Sequence, residues 1–265
     1  IAETAEFLRA HSIDARLRLV GKSVVATSER QVGELHEIAR LHHQYGEDAE
    51  LLDGAEARSD VDSPTYVAAL RVRSGGGTVD PAALTWGLAA AAARMGVRIH
   101  ENSGVEAISR DGSALAVETV LASIRCERAV LATNAFRPLI KRLRAWILPV
   151  LDHVLVTAPL TAEQRDRIGW RDEQGLTDLG NRFHYYRLTP DGRILFGGYD
   201  ATYHFAGAAP ADSPSRDRSF RTLAAHFAQT FPQLREVSFT HKWFGMIDAT
   251  SRFTPLFGTA LGGRV

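Results

Sequence analysis

The feature that most narrows the fold is a helix that delivers its chain straight into an extended run. Asp80-Pro81 reads as an N-cap with proline at the first helical position. Behind it, Leu84, Leu88, Ala91, Ala92 and Met95 fall on one face, and Gly96 is placed to end the helix. Val97-Arg98-Ile99-His100 follows at once as a predicted strand. Helix then strand, with almost no loop, is half of a parallel βα unit. Three short runs come next, "VEAISR", "ALAVETV" and "ASIRCE", with a turn at Asp111-Gly112. They predict an antiparallel meander set into the parallel unit. Glu127 to Phe136, "ERAVLATNAF", then predicts a buried strand ending in small residues, an ending that lets a backbone approach a nucleotide closely.

No phosphate-binding loop accompanies that strand end. Gly75-Gly76-Gly77 lacks the spacing and the preceding buried strand of G-x-G-x-x-G. Gly258 to Arg264 has arginine where a phosphate loop needs lysine.

Upstream, Ile1 to Ala10 has a helical pattern, and "IDARLRLV" and "SVVATS" read as strands. Ser28 and Gln31 form a capping-box pattern for a helix running to about Gly46. "AELLD" and "TYVAALRVR" read as strands on either side of a short helix or turn, "DGAEARSD". Downstream the pattern is antiparallel. It comprises a long strand in "AWILPVLDHVLVTAPL", a short helix from Thr161 to Ile168, and a hairpin made of "RFHYYRLT", a Pro190-Asp191-Gly192 turn and "RILFGGY". A helix from Ser215 to Phe231 and a last strand, "VSFTHKWFGMI", complete it.

The formal net charge of +0 excludes a general nucleic-acid binder, which needs a basic excess. The longest apolar run closes at Arg94, too short for a membrane span, and a soluble cytoplasmic protein is expected. Cys126 is the only cysteine and reads as a structural thiol, so no intrachain disulfide can form. His36, His42 and His43 lack zinc-ligand spacing and read as a solvated helix face, so no metal is expected. G-x-S-x-G is absent, which leaves a serine hydrolase nothing to rest on. Both ends of the sequence look cut, so a segment of a longer polypeptide is expected.

The aromatic hairpin carries the candidate chemistry. On a strand, Phe183, Tyr185 and Arg187 face one way, and His184, Tyr186 and Leu188 the other. The second face sets an imidazole beside a phenol, groups able to bind a polar substrate or tune a proton transfer. The alternative is a half-exposed sheet built from β-favouring aromatics. Trp243, followed closely by Gly245, offers a flat surface on the last strand.

Taken in order, "GGGTVDPAALTWGLAAAAARMGVRIHENSGVEAI", "IRCERAVLATNAF", "LPVLDHVLVTAPL", "YYRLTPDGRILFGG" and "WFGMIDATSRFTPLFG" resemble the FAD-dependent D-amino-acid oxidase superfamily over nearly the whole chain. "VVATSERQVGEL" adds a resemblance to the γ-glutamylputrescine oxidase-like branch. The resemblance implies a mixed α/β fold, with part of a Rossmann-like FAD-binding domain (1–20, 76–145 and a return at 251–265) interleaved with an antiparallel substrate domain (21–75 and 146–250). It implies FAD as cofactor, with Val105 beside the adenine and Ala132, Thr133 and Asn134 near the ribose and pyrophosphate. It places His184, Tyr186 and Trp243 over the flavin as candidate catalytic residues. The implied reaction oxidises a C–N bond of a small amine or amino acid by hydride transfer, with O2 or another electron acceptor completing the cycle. The glycine loop is expected upstream of Ile1, so this stretch by itself is expected to bind FAD weakly. An alternative is a non-catalytic or tRNA-modification-type domain that keeps the fold for binding or assembly.

Overall fold

A computed structural model describes residues 1–136, 138–198 and 214–265, with side chains from 217 onward in the last stretch. They fall into two compact units. The first draws on Ile1–Gly96, 152–198 and 214–244; the second on Val97–Leu151 and Gly245–Val265, apart from 137.

Along the chain come α1 (Ala2–Ala10), β1 (Lys22–Ala26), α2 (Glu29–Gln44), β2 (Ala49–Asp53), α3 (Gly54–Asp60), β3 (Ala68–Val72) and α4 (Pro81–Arg94). The meander β4 (Val105–Asp111), β5 (Ala114–Thr119) and β6 (Ser123–Cys126) follows. Then come β7 (Ile147–Thr157), α5 (Ala162–Ile168), β8 (Gly175–Asp178), β9 (His184–Leu188), β10 (Ile194–Gly198), α6 (Pro214–Thr230) and β11 (Phe239–Thr250).

Local chemistry sets most of these boundaries. Gln31 Oε1 accepts from the Thr27 and Ser28 N–H groups at 2.8 and 3.1 Å, holding the start of α2. Asp53 caps α3 in the same way, with Glu56 reaching back to its N–H. Asp80 Oδ1 accepts from Ala82 and Ala83, both at 3.0 Å, and those bonds hold its carboxyl below the usual range. Thr161 opens α5, and Gly169 ends it at φ +66.

Eight strands form one sheet in the order β11-β7-β10-β9-β8-β1-β3-β2. β1 runs parallel to β8; the registered pairs β1–β3, β2–β3, β7–β10, β9–β10 and β8–β9 are antiparallel. Two apolar cores cover it. Leu35 and Ala39 of α2 pack on Val24, Leu70 and Val72. Leu223, Phe227 and Phe231 pack on Tyr186, Leu188, Ile194 and Phe196. A smaller cluster joins α1 to α4 through Leu8, Ile13, Ala15 and Ala91. A Cβ on Gly87 would meet Ile13 Cγ2 at 2.2 Å, so glycine lets α4 approach this closely.

Three sequence expectations are corrected. "IDARLRLV" forms no strand beyond a bridge in which Arg18 and Thr78 exchange 2.9 Å bonds, because Ser12 and Arg16 take positive φ values of 53 and 51. Val97–His100 and 127–133 are not strands either. An extended segment becomes a strand only when a neighbour shares its N–H and C=O groups. Among the described residues no strand pairs with either, and Val130 is left 92% exposed. The expected parallel ladder of residues 78–132 is therefore absent among the described residues. Accordingly, the apolar face predicted for α4 is only partly used: Ala91 is buried, whereas Leu88 and Met95 are exposed. His36 and His43 are exposed, as expected of a solvated helix face, and only His42 is half-buried. His42 contacts Glu47, and His43 Nε2 lies 2.7 Å from the Ala49 carbonyl.

The meander of the second unit forms as predicted, turning at Gly112 with φ +58 and burying Ala114 and Leu115. Cys126 at its end is half-buried. No helix among the described residues is long and apolar enough to cross a membrane.

Candidate functional site

The hairpin β9–β10 divides the candidate residues between two faces. Tyr186 pairs with Phe196 and Tyr185 with Gly197, so the alternation places His184, Tyr186, Leu188, Ile194 and Phe196 on one side. Tyr185, Arg187, Leu195 and Gly197 occupy the other.

α6 covers the first side. Tyr186 is 3% exposed, stacked on Phe196 at 5.2 Å and edge-on to Trp170 and Phe231. Its hydroxyl meets Tyr66 Oη at 2.7 Å, and burial drives both phenols well above their ordinary pKa. The phenol expected to face a substrate is thus a core side chain, because the helix behind the sheet fills that side. His184 lies at the edge of the same side. Asp178 Oδ2 sits 2.7 Å from its Nδ1 and Asp178 Oδ1 accepts its backbone N–H. The imidazole Nε2 is 2.9 Å from His226 Nδ1, and the ring stacks on Phe196. With His153, Arg182 and Ser219 it lines a small cavity.

The other side holds groups that sequence patterning passed over. Tyr185 Oη donates to Asp152 Oδ2. Asp152 comes from the apolar run of β7, is 9% exposed, and has no partner on Oδ1 among the described residues. Burial raises its pKa. Burial also raises that of Tyr185, and the adjacent carboxylate adds to the rise. Gly197 makes the pair possible: a Cβ there would lie 2.3 Å from Tyr185 Cζ. A lone carboxylate in "LPVLDHVLV" and a Gly-Gly opposite two aromatic residues were the available signals.

Arg187, two residues along the same side, is half-buried and lines a cavity of about 290 Å³ with Arg16, Arg18, Asp80, Leu195 and Trp243. That is at the lower end of small-molecule sites, which start at roughly 300 Å³. Trp243 is 45% exposed. The structure therefore brings Trp243 together with Arg187, and sets His184 and Tyr186 on the opposite side of β9.

The candidate nucleotide residues lie in the second unit. Val105 begins β4 and is 40% exposed. Ala132, Thr133 and Asn134 are exposed, with Asn134 at φ +49 and the Thr133 carbonyl accepting from Phe136 N–H at 3.2 Å.

Residues 1–264 match the family described as "FAD dependent oxidoreductase". The chain belongs to this family. Among curated relatives it is 30% identical over 256 residues to the gamma-glutamylputrescine oxidoreductase of Escherichia coli, covering 96% of this chain and 57% of that protein. It is 28% identical over 245 residues to a probable oxidoreductase, OrdL, of Haemophilus influenzae, covering 90% of this chain and 53% of that one. The chain thus spans about half the length of the curated relatives it matches. Among solved structures, glycine oxidase from Geobacillus kaustophilus superposes with a TM-score of 0.81 at 21% identity, over 99% of this chain and 68% of that one. L-proline dehydrogenase from P. horikoshii gives 0.79 at 17%, over 98% and 68%. At these identities the likeness concerns the fold, and it supports the mixed α/β architecture of this chain.

Proposed function

We propose that the full-length protein oxidises a C–N bond of a small amine or amino acid with FAD, in the cytoplasm, and passes the electrons to O2 or another acceptor. The observation that carries this reading is the family match over residues 1–264. The relative named for gamma-glutamylputrescine and the fold shared with glycine oxidase support the substrate class.

The residues present fit the nucleotide end of FAD. Thr133 and Asn134 offer exposed hydroxyl and amide groups, and Ala132 adds no bulk beside them. Val105 is exposed at the start of its strand, where backbone atoms are accessible. We assign residues 1–20, 76–145 and 251–265 to the FAD-binding part and 21–75 and 146–250 to the substrate part. The compact unit shared by 21–75 and 152–198 supports the second assignment. That unit also takes in 1–20 and 76–96.

When bound, the flavin supplies the acceptor for a hydride from the carbon beside the nitrogen. The chain's own part is to hold the amine in its uncharged form and in line. Tyr185 donates its proton to Asp152, so its remaining lone pairs accept an N–H of the substrate. Asp152, made more basic by burial, keeps that hydroxyl oriented and draws its proton away. Trp243 offers an apolar face to the substrate's carbon stem. His184 and Tyr186 act as positioning residues, fixing β9 from behind through Asp178, His226 and Tyr66.

Full-length protein is expected to purify yellow, with flavin absorbance at roughly 450 nm that bleaches when an amine is added without air. Colourless protein that takes up no FAD, or a bound flavin that no amine or amino acid reduces, would sink the reading.

A further inference from the structure

The eight-stranded sheet ends differently at its two edges. β2 closes one edge with five residues, and Glu50 and Asp53 stand exposed on it. A short, charged strand of this kind discourages further pairing. β11 closes the other edge with 12 residues, about twice the common strand length. Among the described residues its one strand neighbour is β7, so a row of its backbone N–H and C=O groups faces outward. The middle of β11 is apolar and open: Trp243, Phe244 and Ile247 are 45%, 36% and 41% exposed. Gly245 stands between them. Glycine weakens a strand interior, and a Cβ there would meet nothing within 4 Å, so no contact among the described residues requires it. A long apolar edge with a glycine at its centre is suited to the close approach of another strand.

The order of residues along β11 says which strand. When two identical strands pair antiparallel, outward-facing backbone meets outward-facing backbone, so the twofold axis passes through a residue. An axis at Gly245 sets Lys242 opposite the partner's Asp248, Trp243 opposite the partner's Ile247 and Phe244 opposite the partner's Met246. Opposite charges and apolar side chains then face each other across the pair, the combinations that stabilise a sheet. Moving the axis to Phe244 or Met246 sets Lys242 against Met246 or Thr250 and loses the charge pair. Within the chain, Lys242 is 60% exposed and only 3.7 Å from Asp217, a loose contact. Asp248 is half-buried, and its Oδ1 has no hydrogen-bond partner among the described residues. Glycine at the axis removes the two side chains that would otherwise meet there.

We propose that β11 is a dimer interface, pairing antiparallel with β11 of a second copy about an axis at Gly245 and joining two eight-stranded sheets into one. Trp243 also lines the cavity that holds Arg187, so the partner's Ile247 abuts a wall residue of that cavity. The interface does not depend on the amine-oxidation reading.

The test uses full-length protein. Sedimentation velocity over about 1 to 100 µM reads the dimer, which is expected to form as concentration rises. Lys242→Asp sets like charges opposite each other on both sides of the axis and is expected to weaken the dimer about 10- to 30-fold, with the unfolding midpoint of the chain unchanged. Combining Lys242→Asp with Asp248→Lys restores the pair in reverse and is expected to recover most of that loss. Cross-linking reads the axis itself. In a Cys126→Ser background, Gly245→Cys places two thiols across the axis with Cβ atoms about 4.5–5.5 Å apart, close enough for mild oxidation to link the copies. Thr240→Cys, at the far end of the pairing, is expected to stay unlinked. Monomer at every concentration overturns the proposal. So does a dimer that Lys242→Asp leaves intact, or one that Gly245→Cys does not cross-link.

Discussion

The two faces of one hairpin, five residues to a strand, have opposite chemistries. On the side under α6, Tyr186, Leu188, Ile194 and Phe196 are each at most 4% exposed, and the polar atom of Tyr186 is satisfied by another core phenol. On the other side, Tyr185, Arg187 and Leu195 stay half-buried, a carboxylate has one oxygen without a partner among the described residues, and a cavity opens. Both sides carry aromatic and polar side chains, His184, Tyr186 and Phe196 on one and Tyr185 and Arg187 on the other. What separates them is whether a helix covers them, and consequently whether a polar group is spent on packing or left for a ligand.

The largest effect expected from this contrast is on the covered side. Phe196 is fully buried between the rings of His184, Tyr186 and Phe227. Phe196→Ala is expected to cost about 3–5 kcal/mol of stability, measured by denaturant unfolding. A loss below about 1 kcal/mol would mean that this side is not the core. Next comes Tyr185→Phe on the open side, expected to lower kcat about 100-fold with the unfolding midpoint nearly unchanged. A smaller effect is expected for Tyr186→Phe. It leaves the buried Tyr66 hydroxyl without its partner, at about 1–2 kcal/mol of stability, with turnover kept.

How much of this the sequence disclosed depends on the range of the interaction. Caps and turns are decided within four residues, so Ser28–Gln31, Asp80-Pro81 and the Pro190–Gly192 turn were legible as they stand. The meander was legible because its partners follow one another directly. The strands expected at 97–100 and 127–133 depend on neighbours distant in sequence, and local pattern could not say whether those were present. The His184 and Tyr186 side of the hairpin was read as open for the same reason. The cover comes from Leu223, Phe227 and Phe231, whose helical spacing was visible, but their destination on the sheet was not. Asp152 was overlooked because its neighbours made it look like a flaw in an apolar strand.

The smallest effect expected is a pH dependence. Burial raises the pKa of Asp152 in the folded state, so the folded protein holds a proton there that the unfolded chain has released. The associated stability is fully present below the unfolded value of roughly 4 and is lost as pH rises through the folded value. Asp60, also raised by burial, has the same sign. Asp152→Asn is therefore expected to flatten, without abolishing, the fall in unfolding midpoint above about pH 4. An unchanged slope would show that Asp152 is ionised as readily as in water.

The most direct test of the contrast is the rate of anaerobic flavin bleaching at roughly 450 nm in full-length protein, with one amine and two single-atom changes. Tyr185→Phe is expected to slow it about 100-fold and Tyr186→Phe to leave it within about twofold of wild type. Slowing by Tyr186→Phe alone, with Tyr185→Phe unaffected, would put the chemistry on the side assigned here to the core.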